Sequence, residues 1–251
     1  VVFAENQYQE GTRDTAWVFP GTALDGFSSG LESLFSQHVL RLPNNCTLLI
    51  EGDECRAVYY VRAGWLALSK ALEGGQNQII DFALPGDIVD PSGADGVTAS
   101  VTVEALTDGA LAAMPYRSWE TMTGERPALH HLAHRMESAM HARRAERMLR
   151  VGRGAAEMRL AYALVEFCIR ISPDSDGRNC EFHIPLTQQQ LGDYVGLSSV
   201  HVCRTLRRMA RNGILEMRDH MDIRVLDPRS LACLAGVDVE ALKRAIMPQG
   251  A

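Results

Sequence analysis

Residues 186–211 read LTQQQLGDYVGLSSVHVCRTLRRMAR, and the fold of the C-terminal half is decided there. Thr187 followed three residues on by Gln190 is a capping box that starts a helix, with Leu191 and Val195 as its inward side chains. Gly192 permits a close crossing. Gly196 stands where that helix must turn sharply, a place that favours the left-handed conformation, and Ser198 caps a second helix. The order is helix, tight turn, helix. At about 100° per residue, Val202, Leu206 and Met209 of the second helix share one side, and Val200, Arg204, Arg207 and Arg211 the other, flanked by His201 and Arg208. Between Ser198 and Arg211 there are four arginines and no acidic residue.

A helix of this width fits the major groove of duplex DNA, with its N-terminal residues nearest the base edges. Arg204 is assigned to bidentate recognition of a guanine, because its planar fork matches two acceptors on one base edge. Ser199, Val200 and His201 add base or methyl contacts, whereas Arg207, Arg208 and Arg211 suit phosphates. Thr187, Gln188 and Ser198 complete the expected surface. Beyond it, 214–218 and 223–226 are short strands flanking Asp219-His220-Met221-Asp222, a hairpin that makes the motif winged, and Asp227-Pro228 starts a last helix.

Working outward towards the N-terminus, 155–171 is amphipathic, with Leu160, Leu164, Phe167, Cys168 and Ile171 on one face. Gly152 and Gly154 mark a hinge. The stretches 116–123 and 127 to about 150 are helical, and Leu129, Leu132, Met136 and Met140 recur on the longer one as a narrow apolar seam. Such a seam suits a dimer contact; packing on the chain's own β domain is the alternative. Further upstream, apolar runs at 39–42, 46–50, 58–61, 65–71, 78–84, 101–106 and 111–114 are separated by turn residues such as Glu51-Gly52-Asp53, Ala63-Gly64 and Pro85-Gly86-Asp87. Seven strands so spaced make a barrel or jelly roll. A short helix is expected over 31–37, and residues 1–21 read as a flexible arm.

The fold class is therefore α+β: an arm (1–21), a β-roll sensor domain (22–124), a dimerisation helix and hinge (125–152) and a winged helix-turn-helix domain (153–251). Charge divides along the same line. The chain's net −6 splits into 5 basic and 15 acidic residues over 1–115, hence −10, and 20 basic and 16 acidic over 116–251, hence +4, so only the second half is built to meet a polyanion. No apolar run reaches membrane-spanning length, and the first ten residues lack the regions of a secretory signal, which makes cytoplasm the expected compartment. The six cysteines never form the paired spacing of a metal site. No histidine occurs between Val39 and Met114, which argues against a metalloenzyme built on the roll; the protein is expected to be no enzyme and to hold no cofactor or metal. His130 and His134, one helical turn apart, lack a third ligand in sequence reach. Cys203, beside Arg204 on the recognition helix, is a candidate redox switch against DNA binding.

The order roll, long helix, winged helix resembles the CRP/FNR family of bacterial transcription regulators over about 31–235, through the Gly turns quoted above, Val58-Tyr59-Tyr60-Val61, and 186–206. The resemblance implies a homodimer on a near-palindromic operator, RNA polymerase as a further partner, and Arg204 as the base-reading arginine. Val200 stands where many members have a glutamate, so their half-site does not transfer. Members that bind cyclic nucleotides carry a Glu and an Arg after the Gly-Asp turn; here 88–101 holds neither, and its only charges are Asp90 and Asp95. An anionic phosphate would meet two carboxylates there, which argues against control by cyclic AMP, and the effector is left unassigned. The oxygen-sensing branch needs an N-terminal cysteine cluster, which Cys46 and Cys55 do not supply.

Overall fold

The structure, a computed structural model, describes residues 34–35, 39–172, 181–218 and 222–248. Eight strands form the N-terminal half: β1 (Val39–Leu42), β2 (Thr47–Leu49), β3 (Ala57–Ala63), β4 (Leu66–Ala71), β5 (Asn77–Ala83), β6 (Ile88–Val89), β7 (Thr102–Ala105) and β8 (Gly109–Pro115). They pair antiparallel in two sheets, ordered β1-β8-β3-β6 and β2-β7-β4-β5. Tyr59, Val61, Leu66, Leu68, Val103 and Leu111 alternate inward and fill the space between the sheets. Gly64 closes the β3–β4 corner at φ 84°, and a Cβ there would strike the backbone of Asp108 and Gly109, so the corner needs glycine twice over.

Helix α1 (Tyr116–Glu125) leads to the long α2 (Pro127–Arg153), which runs through Gly152 and stops at Gly154. The apolar seam of α2 does not face outward. Leu129 and Leu132 are buried in the chain's own β roll, in one cluster with Phe35, Val58, Tyr60, Ala112 and Met114, and Met136 packs against that cluster. Met140 turns into a cavity between α2 and the roll. Assigning these four to a dimer contact is thus corrected: an apolar stripe packs on the first apolar surface the chain offers, and the outer face of β3 and β8 is adjacent. Of the helix expected over 31–37, only Leu34 and Phe35 lie within the described residues; the arm at 1–21 lies outside them.

Helix α3 (Ala156–Ile171) is hidden almost all round. Around it stand β9 (Glu181–His183), α4 (Gln188–Val195), α5 (Ser199–Arg211), β10 (Leu215–Arg218), β11 (Asp222–Val225), α6 (Pro228–Ala235) and α7 (Val239–Ile246). Strands β10 and β11 pair as the expected wing, and β9 adds a third strand to β11; the wing tip at 219–221 lies outside the described residues. Asp227 caps α6 through the Ser230 amide with Pro228 at its first position, but α6 is followed by α7, capped in turn by Asp238. Among the described residues no helix is long and apolar enough to cross a membrane.

Candidate DNA-binding surface

The local chemistry of 186–211 produces the geometry its sequence predicts. Thr187 Oγ1 accepts from the Gln190 amide (3.1 Å) and Gln190 Oε1 accepts from the Thr187 amide (2.8 Å), so both arms of the capping box form. Gly196 ends α4 at φ 67°. A Cβ on Gly192 would overlap the carbonyl oxygen of Leu197, and the Leu197 amide bonds back to the Gly192 carbonyl (2.9 Å). The turn can therefore fold this tightly only without a side chain at that position. Ser198 caps α5 by accepting from the His201 amide at 3.3 Å.

Behind α5, Val202, Leu206 and Met209 are fully buried, as is Thr205. That anchoring holds the opposite face out in solvent. Ser198, Val200, His201, Arg204, Arg207, Arg208 and Arg211 are exposed, together with Thr187, while Ser199 and Gln188 are half-buried. Val200 keeps 65% of its surface exposed, a large apolar side chain left in water in the first turn of the helix. One member differs from expectation: Arg208 pairs with Glu157 of α3 at 3.1 Å. It is thereby turned partly towards its own domain, whereas Arg204, Arg207 and Arg211 have no carboxylate partner among the described residues. Cys203 is a free, half-buried thiol on the same helix.

A second set of arginines lies behind this surface, and sequence reasoning missed it. On β5, Asp81 is buried and takes Arg144 (3.5 Å), Arg147 (3.7 Å) and Arg170 (3.8 Å). Glu166, with no exposed surface, takes Arg147 (3.4 Å), Arg170 (3.6 Å) and the Tyr194 hydroxyl (2.8 Å). Arg170 also reaches Asp87 (2.6 Å), and Arg147 donates to the Tyr194 hydroxyl and the Ile80 carbonyl. Burial alone would raise the Asp81 carboxyl, but Arg147, Arg143, Arg170 and Arg144 outweigh it and hold the group below its ordinary range. Burial likewise pushes the Tyr194 hydroxyl far up, so it stays a neutral donor to Glu166. Gln78 of β5 donates to the Asp193 and Tyr194 carbonyls at the end of α4. Phe167 stacks on Tyr194 alongside, and Phe82 packs tilted against both, its centroid 4.6 Å from that of Tyr194. The roll, the two long helices and the first helix of the DNA-binding motif thus meet in one buried seam.

Between the roll and α2 lies a cavity of about 480 Å³ lined by Asp81, Asp87 and Asp90 from the roll and by His134, Arg143 and Arg144 from α2. Of the two carboxylates after the Gly-Asp turn, Asp90 faces it while Asp95 is tied to the Val97 and Thr98 amides and does not line it, and the helix supplies two guanidinium groups that the roll's sequence could not reveal. Both are engaged: Arg143 donates to the Ile246 carbonyl (3.1 Å) and Arg144 pairs with Asp81. His130 and His134 are exposed at the cavity's edge. Cys46 and Cys55 bond to different backbone carbonyls, of Thr47 and Ala57.

A basic recognition helix, rigidly backed and flanked by a wing, defines a DNA-binding transcription regulator rather than an enzyme. Comparison with known proteins gives the lineage. Residues 39–126 match the cyclic nucleotide-binding domain model and 158–234 the Crp-like helix-turn-helix domain model. The chain is 30% identical over 195 residues to the transcriptional activator protein FnrA of Stutzerimonas stutzeri, covering 78% of this chain and 79% of that one. It is 27% identical over 184 residues to the nitrogen fixation regulation protein FixK of Rhizobium meliloti, covering 73% and 81%. Among solved structures, FixK2 from Bradyrhizobium japonicum superposes with a TM-score of 0.72 at 25% identity, over 80% of this chain and 98% of that one. The chain belongs to the CRP/FNR family of transcription regulators.

Proposed function

We propose that this regulator binds a near-palindromic operator as a homodimer in the cytoplasm, with Arg204 reading a base and Arg207 and Arg211 holding phosphates. The observation that carries this reading is the exposed guanidinium face of α5, without a carboxylate partner among the described residues at these three positions, on a helix whose other side is buried. A two-fold assembly presents two such helices to successive major grooves, about 34–36 Å apart. Because Leu129 and Leu132 are spent on the roll, the partner protomer is assigned to the opposite face of α2. RNA polymerase is the expected downstream partner.

Cyclic AMP is not the proposed effector. Residues 88–101 offer the phosphate no arginine, Asp90 is committed to Ser92 and Tyr116, and the arginines the helix contributes are already bonded. Selection of bound sites from a pool of random duplexes, with and without cyclic AMP, tests both parts. A two-fold-symmetric site enriched equally in both arms is expected. Enrichment of nothing, or of a lone half-site, would overturn the dimeric operator, and enrichment only with cyclic AMP would overturn the effector assignment.

A further inference from the structure

The outward face of α2 has an unusual composition. His131, His134, Ser138, His141, Ala145, Met148 and Gly152 are all exposed, and their spacings alternate three, four, three, four, three, four. This is the a/d register of a two-helix seam, and it lies opposite the face carried by Leu129, Leu132, Ala139, Arg143, Arg147 and Arg150, which is buried. Met148 is 75% and the neighbouring Leu149 57% exposed, apolar surface that a single chain leaves in water. The small residues Ser138, Ala145 and Gly152 allow a second helix to approach closely; a Cβ on Gly152 would meet nothing.

Resting on the homodimer proposed above, we propose that this face is the seam between two copies and that its histidines make assembly, and with it operator binding, sensitive to protons. In a parallel two-fold pair each a or d residue lies opposite its own copy, so His131, His134 and His141 each meet a second imidazole. Neutral imidazoles stack or share a hydrogen bond across such a seam. Protonated ones place like charges face to face, and imidazole is the side chain whose charge changes between about pH 5 and 8. The surrounding charges do not cancel this. On α2 itself Glu137 lies 3.7 Å from His141, and His130, Arg135, Arg143 and Arg144 add no negative charge. Across the cavity, Asp81 and Asp87 are bound to arginines and Asp90 to Ser92 and Tyr116; α1 contributes only Trp119 and Thr123 there. Helix α7, packed against α2, carries Glu240, Lys243 and Arg244. Each protomer therefore brings three seam imidazoles and, beside them on α2, one carboxylate, Glu137, which lies next to His141 alone.

Sedimentation of the full chain at constant ionic strength, at pH near 7.5 and near 5.5, provides the test, beside a His134→Gln/His141→Gln double variant. The parent's dimer dissociation constant is expected to rise at least about tenfold on acidification and the double variant's to rise clearly less, His131 being the one seam imidazole it keeps, with circular dichroism unchanged in both. A parent that stays equally dimeric at both pH values, or a double variant that keeps the whole shift, would overturn the proton-sensitive seam while leaving the dimer standing. A parent monomeric at both would overturn the dimer itself. Binding to a single half-site duplex, which needs no partner, should change less with pH than binding to the whole operator; an equal change would also count against the proposal.

Discussion

Two groups of arginines in this molecule share a residue type and little else. Arg143, Arg147, Arg150 and Arg170 are buried and bound to carboxylates, carbonyls or the Tyr194 hydroxyl, although Arg143 Nε and Arg170 Nη1 make no hydrogen bond among the described residues. Arg204, Arg207 and Arg211, on α5, stand in water. The first group costs too much desolvation to be there for charge alone: Arg147 and Arg170 hold the roll against α3 and α4, and Arg143 and Arg150 hold α2 against the ends of α7 and α6. The second group keeps its charge unspent, which is what a polyanion requires. Where an arginine's partner is supplied by the fold it builds the scaffold, and where the fold withholds a partner the ligand supplies one. Arg208, paired with Glu157 yet half exposed, sits between the two conditions.

Substitutions on either side can break or sharpen this contrast. The largest effect is expected from Asp81→Asn, which leaves Arg147, Arg170 and Arg144 short of a buried counter-charge and should cost about 3–5 kcal/mol of stability in urea unfolding. Because the Asp81 carboxyl is held below its ordinary value of 3.8, the parent's advantage is complete above that value and is lost as pH falls through the lower folded one. A parent and variant equally stable at neutral pH would show that the buried group is not a scaffold. Next comes Gly192→Ala, whose methyl must displace the Leu197 carbonyl; a loss of about 1–3 kcal/mol is expected. Operator binding should weaken with it, since the tilt of α5 is set at this crossing. The smallest effect distinguishes the intermediate case. Arg211→Ala should lower the slope of log affinity against log salt by about 0.9 if one phosphate contact is lost, whereas Arg208→Ala should change it less, its charge being shared with Glu157.

How much of this was legible beforehand follows from the range of the interactions involved. The helix-turn-helix could be read because its determinants are local: a cap three residues from its partner, a glycine at a turn, a helical period of arginines. The strand runs and the wing were equally local. Strands β6 and β9 escaped because runs of two and three residues carry no period of their own and exist by pairing with β3 and β11. The seam of α2 was found but given to the wrong neighbour, since periodicity states that a face is apolar and not what covers it. The charge network was invisible for a related reason. Glu166 and Arg170 looked like interruptions of an apolar helix, and their partners lie on other elements: Asp81 and Asp87 for Arg170, some 80 residues away in sequence, and Arg147 and Tyr194 for Glu166.

The central claim is that α5 reads sequence through Arg204, and affinity of Arg204→Ala for the selected operator and for random duplex of equal length, at one salt concentration, tests it most directly. A loss of about 1–3 kcal/mol on the operator, with relaxed preference at one base pair of each half-site and a much smaller loss on random duplex, is the predicted result. The same loss on both duplexes would make Arg204 one more phosphate contact and contradict its role in reading the base.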